Sequence, residues 1–170
     1  MEALKFLRPG RVAPFTGAFW PQPGEWIESD GAVELCRSGV HALRSQALPV
    51  WIAEELWRVE LEGAETVAPG IVAGTRGRLV ERVDAWNDET AREFARACAA
   101  HVSEGASGAA VDYAADATAT AETACADFTA ATAAYMAAHS AEAASPGRYA
   151  AERAWQARWL ADRLGLPGEI

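Results

Sequence analysis

The hydrophobic and polar positions in the first half of the chain alternate over short stretches, most clearly in LWRVELE at 56–62. Apolar residues occupy 57, 59 and 61, and charged residues occupy the positions between them, which predicts a β-strand with one face on a core. Shorter predicted strands, each next to Gly, Pro or Asp turn signals, are residues 3–8, 25–28, 33–36, 39–43 and 77–86. We therefore expect a small, mostly antiparallel β-sheet over residues 1–85.

From residue 87 onward the chain becomes rich in alanine, and the spacing of its larger side chains becomes helical. A first helix is predicted to begin at Asn87 or Asp88, with acidic residues in its first turn. In the next run, Phe128 and Tyr135 lie seven residues apart in a heptad-like row, which predicts that they face a helical partner. Whether residues 107–144 form one helix or two is left open, since weak helix formers occupy 116–121.

The last predicted helix has the strongest start and stop signals in the chain. Ser145 and Pro146 are typical of a helix start, and Gly165 is typical of the residue after a helix end. Trp155 and Trp159 share a flank away from the alanine stripe of this helix. We expect that flank to contact the β-rich half or a second subunit.

These patterns together predict an α+β protein of two parts. Residues 1–85 are expected to form a small β-rich domain. Residues 86–170 are expected to form an alanine-rich helical hairpin or three-helix unit, packed on that domain or on a second subunit.

Charge and composition narrow the classes of partner. The net charge of −9 disfavours binding to nucleic acid, and no apolar run is long enough for a membrane span. Three cysteines are too few for a disulfide framework, and their number is odd, so we expect reduced thiols. Together with the negative net charge, this predicts an acidic cytoplasmic protein. No cofactor is expected.

The stretch VELCRSGVHALRS at 33–45 places Cys36 and His41 five residues apart around a Ser38-Gly39 turn. The favoured interpretation is a strand, a turn and a second strand, with Cys36 packed inside and His41 near the surface. A nucleophilic Cys/His pair is a weaker alternative. A zinc site that adds Cys98 and His101 is another, but the mixed and distant pairs do not match the usual ligand spacing, so no metal is predicted.

Three stretches carry a resemblance: GAVELCRSGVHALRSQALPVW at 31–51, WRVELEG at 57–63 and GIVAGTRGRLVERV at 70–83. The sequence resembles a family of uncharacterised small domains of phage and bacterial proteins, in which a strand ending in Cys, a Ser-Gly turn and a His-Ala segment precede a similar strand. The resemblance covers about residues 3–84. It implies a domain boundary near residue 86 and no known activity.

A second, more remote resemblance is to ADP-ribosyltransferase-type folds. Arg8, His41 with Ser45, and the strand bearing Glu60 and Glu62 follow one another in a comparable order. The resemblance implies a transferase that uses NAD, with Arg8, His41 and a strand glutamate in its site. The aromatic and threonine features of that pattern are missing around His41, and a bare glutamate pair on a strand is otherwise solvated.

For function, the sequence favours a noncatalytic accessory or interaction protein of a soluble bacterial system, actinobacterial or phage-related. A protein partner or a second copy is expected, and no nucleic acid or membrane. The tryptophans expected to serve as core and contact residues are Trp20, Trp26, Trp51, Trp155 and Trp159. The alternative is the NAD-dependent transferase, with Arg8, Cys36, His41 and Glu60 as its weak catalytic candidates.

Overall fold

A computed structural model describes residues 1–105 and 125–166 of the 170-residue chain. The elements in the described part are, in chain order, β1 (Glu2–Leu7), β2 (Trp26–Glu28), β3 (Val40–Leu43), a 3-10 helix (Ser45–Val50), β4 (Glu55–Glu62), β5 (Glu65–Ala68), β6 (Ile71–Gly74), β7 (Arg76–Arg82), α1 (Asp88–Gly105), α2 (Ala126–Ala144) and α3 (Arg148–Arg163). The predicted α+β class is confirmed. None of the described helices is long and apolar enough to cross a membrane.

The seven strands form one curled antiparallel sheet in the order β2-β7-β4-β1-β3-β6-β5. β1 pairs with β4 along its whole length, from Glu2 opposite Glu60 to Leu7 opposite Glu55. On its other side, β1 pairs with β3 at a single position, Leu4 opposite Leu43. The two strands therefore separate beyond that point and leave a wedge in the middle of the sheet.

The two faces of the sheet bury separate apolar clusters, and the face of β4 that its alternation predicts to be buried, with Trp57, Val59 and Leu61, belongs to the second of them. On the helix face, Leu4, Phe6 and Leu56 join a cluster that continues into the three α-helices. The opposite face buries a second cluster, whose members are Ala3, Leu7, Trp20, Val40, Ala42, Trp57, Val59, Leu61, Val72 and Leu79. Side chains of β1 alternate between the two clusters, which places Lys5 on the opposite face with Ala3 and Leu7.

The helices pack through small side chains. α2 contacts both α1 and α3. The residues that α2 buries are Ala126, Thr129, Ala130, Ala133, Ala134, Ala137, Ala138, Ser140 and Ala141. The predicted start of α1 is confirmed, since the side-chain oxygen of Asn87 accepts hydrogen bonds from the backbone N–H groups of Glu89 and Thr90, each at 3.1 Å.

The larger side chains of α2 do not lie where the heptad pattern places them. Phe128 is 57% exposed and Tyr135 is 53% exposed, so the prediction that they face a helical partner is wrong for the described residues. Alanine and threonine fill that contact instead, because they allow a closer approach of the helix backbones. The question of one helix or two over 107–144 falls mainly on residues 106–124, which lie outside the described part.

The start of α3 also differs from the prediction. The helix begins at Arg148, after Gly147 in a left-handed conformation with φ of 87°. The carboxylate of Glu142 accepts hydrogen bonds from the backbone N–H groups of Gly147 (2.9 Å) and Tyr149 (3.0 Å), and these bonds lower the pKa of Glu142. A side chain from the end of α2 therefore caps α3, where Ser145 was expected to do so.

The predicted strand at 33–36 is absent, which corrects the interpretation of the Cys36 turn. Glu34 and Ser38 form an isolated antiparallel bridge, and Cys36 lies in the turn between them with φ of 58°. Its side chain is exposed rather than packed inside. The strand predicted at 39–43 is confirmed as β3, and His41 on it is half-buried.

Candidate functional site

A cavity of about 600 Å³ lies where β1 and β3 separate. Its walls come from these two strands, the loop at 13–20, the end of β2 and the turn at 36–39. A volume of this size is usual for pockets that bind small organic molecules. The wedge in the sheet is therefore a candidate binding site.

Lys5 brings a positive charge to this cavity. Its Nζ donates a hydrogen bond to the backbone oxygen of His41 at 2.5 Å and lies 5.2 Å from the centre of the Trp20 ring. No carboxylate of the described residues pairs with it. Burial lowers the pKa of Lys5 from 10.5 to about 8. The amine is therefore cationic at neutral pH without an anionic partner.

The sequence contained a signal for this residue that the analysis of motifs missed. Lys5 is the only lysine in the chain, since every other strongly basic side chain is an arginine. The contact between β1 and the backbone of β3 joins positions 36 residues apart, so the spacing of residues could not reveal it. Composition alone marks Lys5 as unusual, and the fold explains where it lies.

Aromatic side chains form much of the apolar wall. Trp20 is buried beside the amine, and Phe15 meets Trp51 edge to face with ring centres 5.8 Å apart. Phe15 is 75% exposed and stands on the loop at 13–20, whose tight turn uses Gly17 with φ of 70°. Phe19 is on the same loop and equally exposed, yet it does not line the cavity. Sequence reasoning named Trp20 and Trp51 and missed Phe15.

Cys36 and His41 both line the cavity, but their polar atoms are arranged for structure. The backbone N–H of Cys36 donates to Nε2 of His41 at 3.2 Å, and Nδ1 of His41 lies 3.0 Å from the backbone oxygen of Gly39. The ring therefore carries its proton on Nδ1 and accepts on Nε2. Both nitrogens are used, and no described carboxylate bonds to the ring. His41 holds the turn in place and has no free nitrogen to deprotonate the Cys36 thiol.

The residues suggested by the transferase resemblance are not brought together. Glu60 and Arg78 form an ion pair at 2.6 Å on neighbouring strands, and Glu60 does not line the cavity. Arg8 is exposed and also lies outside the cavity lining. His41 is thus separated from the other two residues that this resemblance implies.

The remaining tryptophans of the sequence analysis have partners within the chain. Trp155 stacks on His101 with ring centres 3.8 Å apart, and Trp159 contacts Phe94 at 5.3 Å. Both contacts are with α1, so this flank of α3 is partly covered internally. Trp26 lies beneath the guanidinium groups of Arg76 and Arg78 on the strand next to it. Only Trp20 and Trp51 lie at the cavity.

Cys98 and His101, the second pair of candidate zinc ligands, lie beside a network of polar side chains between the helices. Cys98 is fully buried, and burial together with the charge of Glu152 raises the pKa of its thiol. Nδ1 of His101 lies 2.7 Å from Oε2 of Glu152, and Oε1 of the same carboxylate accepts a hydrogen bond from the side-chain amide of Gln156 at 3.0 Å. Within the described ranges, no three His, Cys, Asp or Glu side chains are grouped closely enough to hold a metal ion.

No protein-family model, curated protein or solved structure matches this chain. The two resemblances therefore stay predictions that no comparison tests. What can be said about function rests on the chemistry of the cavity.

Proposed function

We propose that this chain is a noncatalytic binding protein whose cavity takes a small organic anion with an aromatic or similarly apolar body. The observation that carries the proposal is the uncompensated amine of Lys5 on the wall of an aromatic cavity of about 600 Å³. A buried cation without a partner is costly, and a ligand carboxylate or phosphate would remove that cost on binding. The proposal narrows the earlier expectation of an accessory or interaction protein to a protein that binds this class of ligand.

The lining of the cavity fits a ligand that has an anionic group and an apolar body. The lining combines the Lys5 amine, which lies over the Trp20 ring, with the edge-to-face pair of Phe15 and Trp51. An anionic group could pair with the amine while an apolar body contacts the aromatic rings, with few polar contacts needed to fix its orientation. The internally satisfied His41 ring favours binding over turnover, because it offers no free general base.

The test compares two probes that share a skeleton and differ in head group. By calorimetry at neutral pH, 3-phenylpropanoate should bind at least about tenfold more tightly than 3-phenylpropanamide, because a hydrogen bond to a charged group is worth about 1.5–3 kcal/mol. Lys5→Met should remove that preference. Arg158→Met removes one positive charge from an exposed position on α3 and should leave the preference unchanged.

A pair of phenylalanine variants tests the location. Phe15→Ala should weaken binding of 3-phenylpropanoate several-fold, while Phe19→Ala should not, since the two rings are equally exposed and only Phe15 lines the cavity. Equal binding of the acid and the amide, or an equal effect of the two alanine variants, would refute the proposal. A rise in melting temperature with NAD that Glu60→Gln abolishes would favour the transferase instead.

A further inference from the structure

We propose that Lys5 is a covalent capture site, at which an apolar aldehyde is held as an imine in the same cavity. The inference rests on the proposed function for the location of the ligand, and it adds a reaction and a second ligand class. Its basis is the position of a lone, uncompensated amine beside a wall of aromatic rings.

The amine is held from one side only. Nζ donates a hydrogen bond to the backbone oxygen of His41, which anchors it to β3 across the wedge. No carboxylate competes for the other positions of the nitrogen among the described residues. The nitrogen thus has a fixed position, and a reactant in the cavity can approach it.

The protonation state suits nucleophilic attack. An ordinary lysine is almost fully protonated near pH 8, whereas burial gives the Lys5 amine a pKa of about 8 and leaves about half of it neutral at that pH. The neutral nitrogen has the lone pair that attacks a carbonyl carbon. Lys5 should therefore react under conditions in which a solvated lysine does not.

The reaction balances without a further reagent. The Nζ lone pair forms a bond to the aldehyde carbon, and the carbonyl oxygen takes a proton from the nitrogen to give a carbinolamine. Loss of that oxygen as water, with the second hydrogen also coming from the nitrogen, leaves the C=N bond. No oxidation or reduction occurs. The apolar wall slows hydrolysis of the imine, since it limits the access of water to that bond.

The composition of the chain makes the test unusually direct. Lys5 is the only lysine, so the one other primary amine is the N-terminal amine of Met1, which donates to the backbone oxygen of Leu61 at 2.7 Å. Met1 and Lys5 fall in one tryptic peptide when Lys5 is modified, and fragment ions from that peptide separate the two positions. The Met1 amine therefore serves as an internal comparison.

The experiment treats the full chain near pH 8 with 3-phenylpropanal and sodium cyanoborohydride, which reduces an imine to a stable amine. Mass spectrometry should locate the adduct at Lys5, formed about tenfold or more faster than at Lys5 in the urea-unfolded chain. Phe15→Ala should slow the labelling and Phe19→Ala should not. 3-Phenylpropanoate should compete, since both probes need the same cavity.

Two outcomes overturn the inference: labelling of Lys5 no faster in the folded than in the unfolded chain, or labelling that Phe15→Ala and Phe19→Ala affect alike. These outcomes can be distinguished from a failure of the proposed function. Binding of 3-phenylpropanoate without an adduct at Lys5 refutes only the covalent step. An adduct that depends on Phe15, without preference for the acid over the amide, supports the covalent step and refutes the anionic ligand.

Discussion

Lys5 occupies a position where the pattern of the strand calls for an apolar side chain. Ala3 and Leu7, its neighbours on the same face of β1, are both buried, and the residue opposite Lys5 on β4 is Trp57. The amine contacts the carbonyl oxygen of His41 and the face of Trp20, and no carboxylate of the described residues pairs with it. A charge at such a position lowers stability, and residues that serve in binding commonly carry a cost of this kind.

This cost gives a pH-dependent prediction. The pKa of Lys5 is about 8 in the folded chain and near 10.5 when solvated, so the unfolded chain binds more protons between these pH values. The free energy of unfolding should therefore rise as the pH increases from 8 to 10.5, by up to about 3 kcal/mol, with the full penalty present below pH 8. Urea unfolding of the native chain and of Lys5→Met, across this range, isolates the contribution.

The difference between the two proteins is the quantity to follow, because every other titratable group is common to both. Lys5→Met should be the more stable protein at neutral pH, and its advantage should shrink as the pH rises. A difference that stays constant from pH 7 to 10.5 would show that the amine is solvated in the folded chain.

At the scale of elements, α2 packs against its neighbours through small side chains, most of them alanines. Ala134 is fully buried, and its backbone oxygen accepts a hydrogen bond from the side-chain amide of Gln156 on α3 at 3.0 Å. That amide also donates to Glu152, whose other carboxylate oxygen lies beside His101 of α1. The close approach of the helices and this polar network depend on each other, since larger residues on α2 would move the carbonyl away.

Ala134→Leu tests this dependence. The added side chain has no space in the contact, so we expect the free energy of unfolding to fall by about 1–3 kcal/mol, as other overpacked cores do. Ala143→Leu is the matched control, because Ala143 is exposed on the same helix and leucine has a similar helix propensity. Urea unfolding followed by circular dichroism measures both. Equal stability of the two variants would show that the α2 contact is loosely packed.

The sequence predicted the elements that are determined by local patterns. It failed where the outcome depends on which other elements pack against the segment. β4 alternates over residues 57–62 and α1 has Asn87 at its start, so both could be located. β5 and β6 were not predicted, since neither ETVA nor IVAG alternates between apolar and charged residues, whereas the equally short β2 and β3 were located from their turn signals. Phe128 and Tyr135 share a helical row, but the row that faces a partner is chosen by packing, and it was the alanine row.

The candidate site was predictable in part for the same reason. Trp20, Trp51, Cys36 and His41 were singled out from the sequence, and all four line the cavity. Their convergence depends on the separation of β1 from β3, which no local pattern encodes. The role of His41 follows from two hydrogen bonds to backbone atoms, and such bonds cannot be deduced from residue type.

At the scale of the whole molecule, one apolar cluster crosses the boundary that composition suggests near residue 86. It includes Leu4, Phe6 and Leu56 of the sheet, Phe94 of α1 and Leu160 of α3. The Phe6 ring contacts the Trp86 ring at 5.3 Å, and the indole N–H of Trp86 donates to the backbone oxygen of Ala53 at 2.9 Å. The change in composition marks a change of secondary structure within a shared core.

A fragment of residues 1–86 should therefore not fold cooperatively. Without the helices, the apolar side chains on one face of the sheet would meet water, at a cost of about 25 cal/mol per Å² of apolar surface. We expect the full chain to show a cooperative urea transition by tryptophan fluorescence, and the fragment to show a broad, gradual change. A sharp transition of the fragment would mean that the sheet is an independent domain.

The single pairing of β1 with β3 divides the sheet into a group of four strands and a group of three. Each group has antiparallel ladders of its own, and the groups also meet at Thr75 between β6 and β7, whose backbone N–H donates to the backbone oxygen of Glu62 on β4 at 3.0 Å. Across the gap between these groups, the Lys5 amine bonds to the His41 oxygen, so an occupant that draws the amine away also removes a link between the two parts of the sheet.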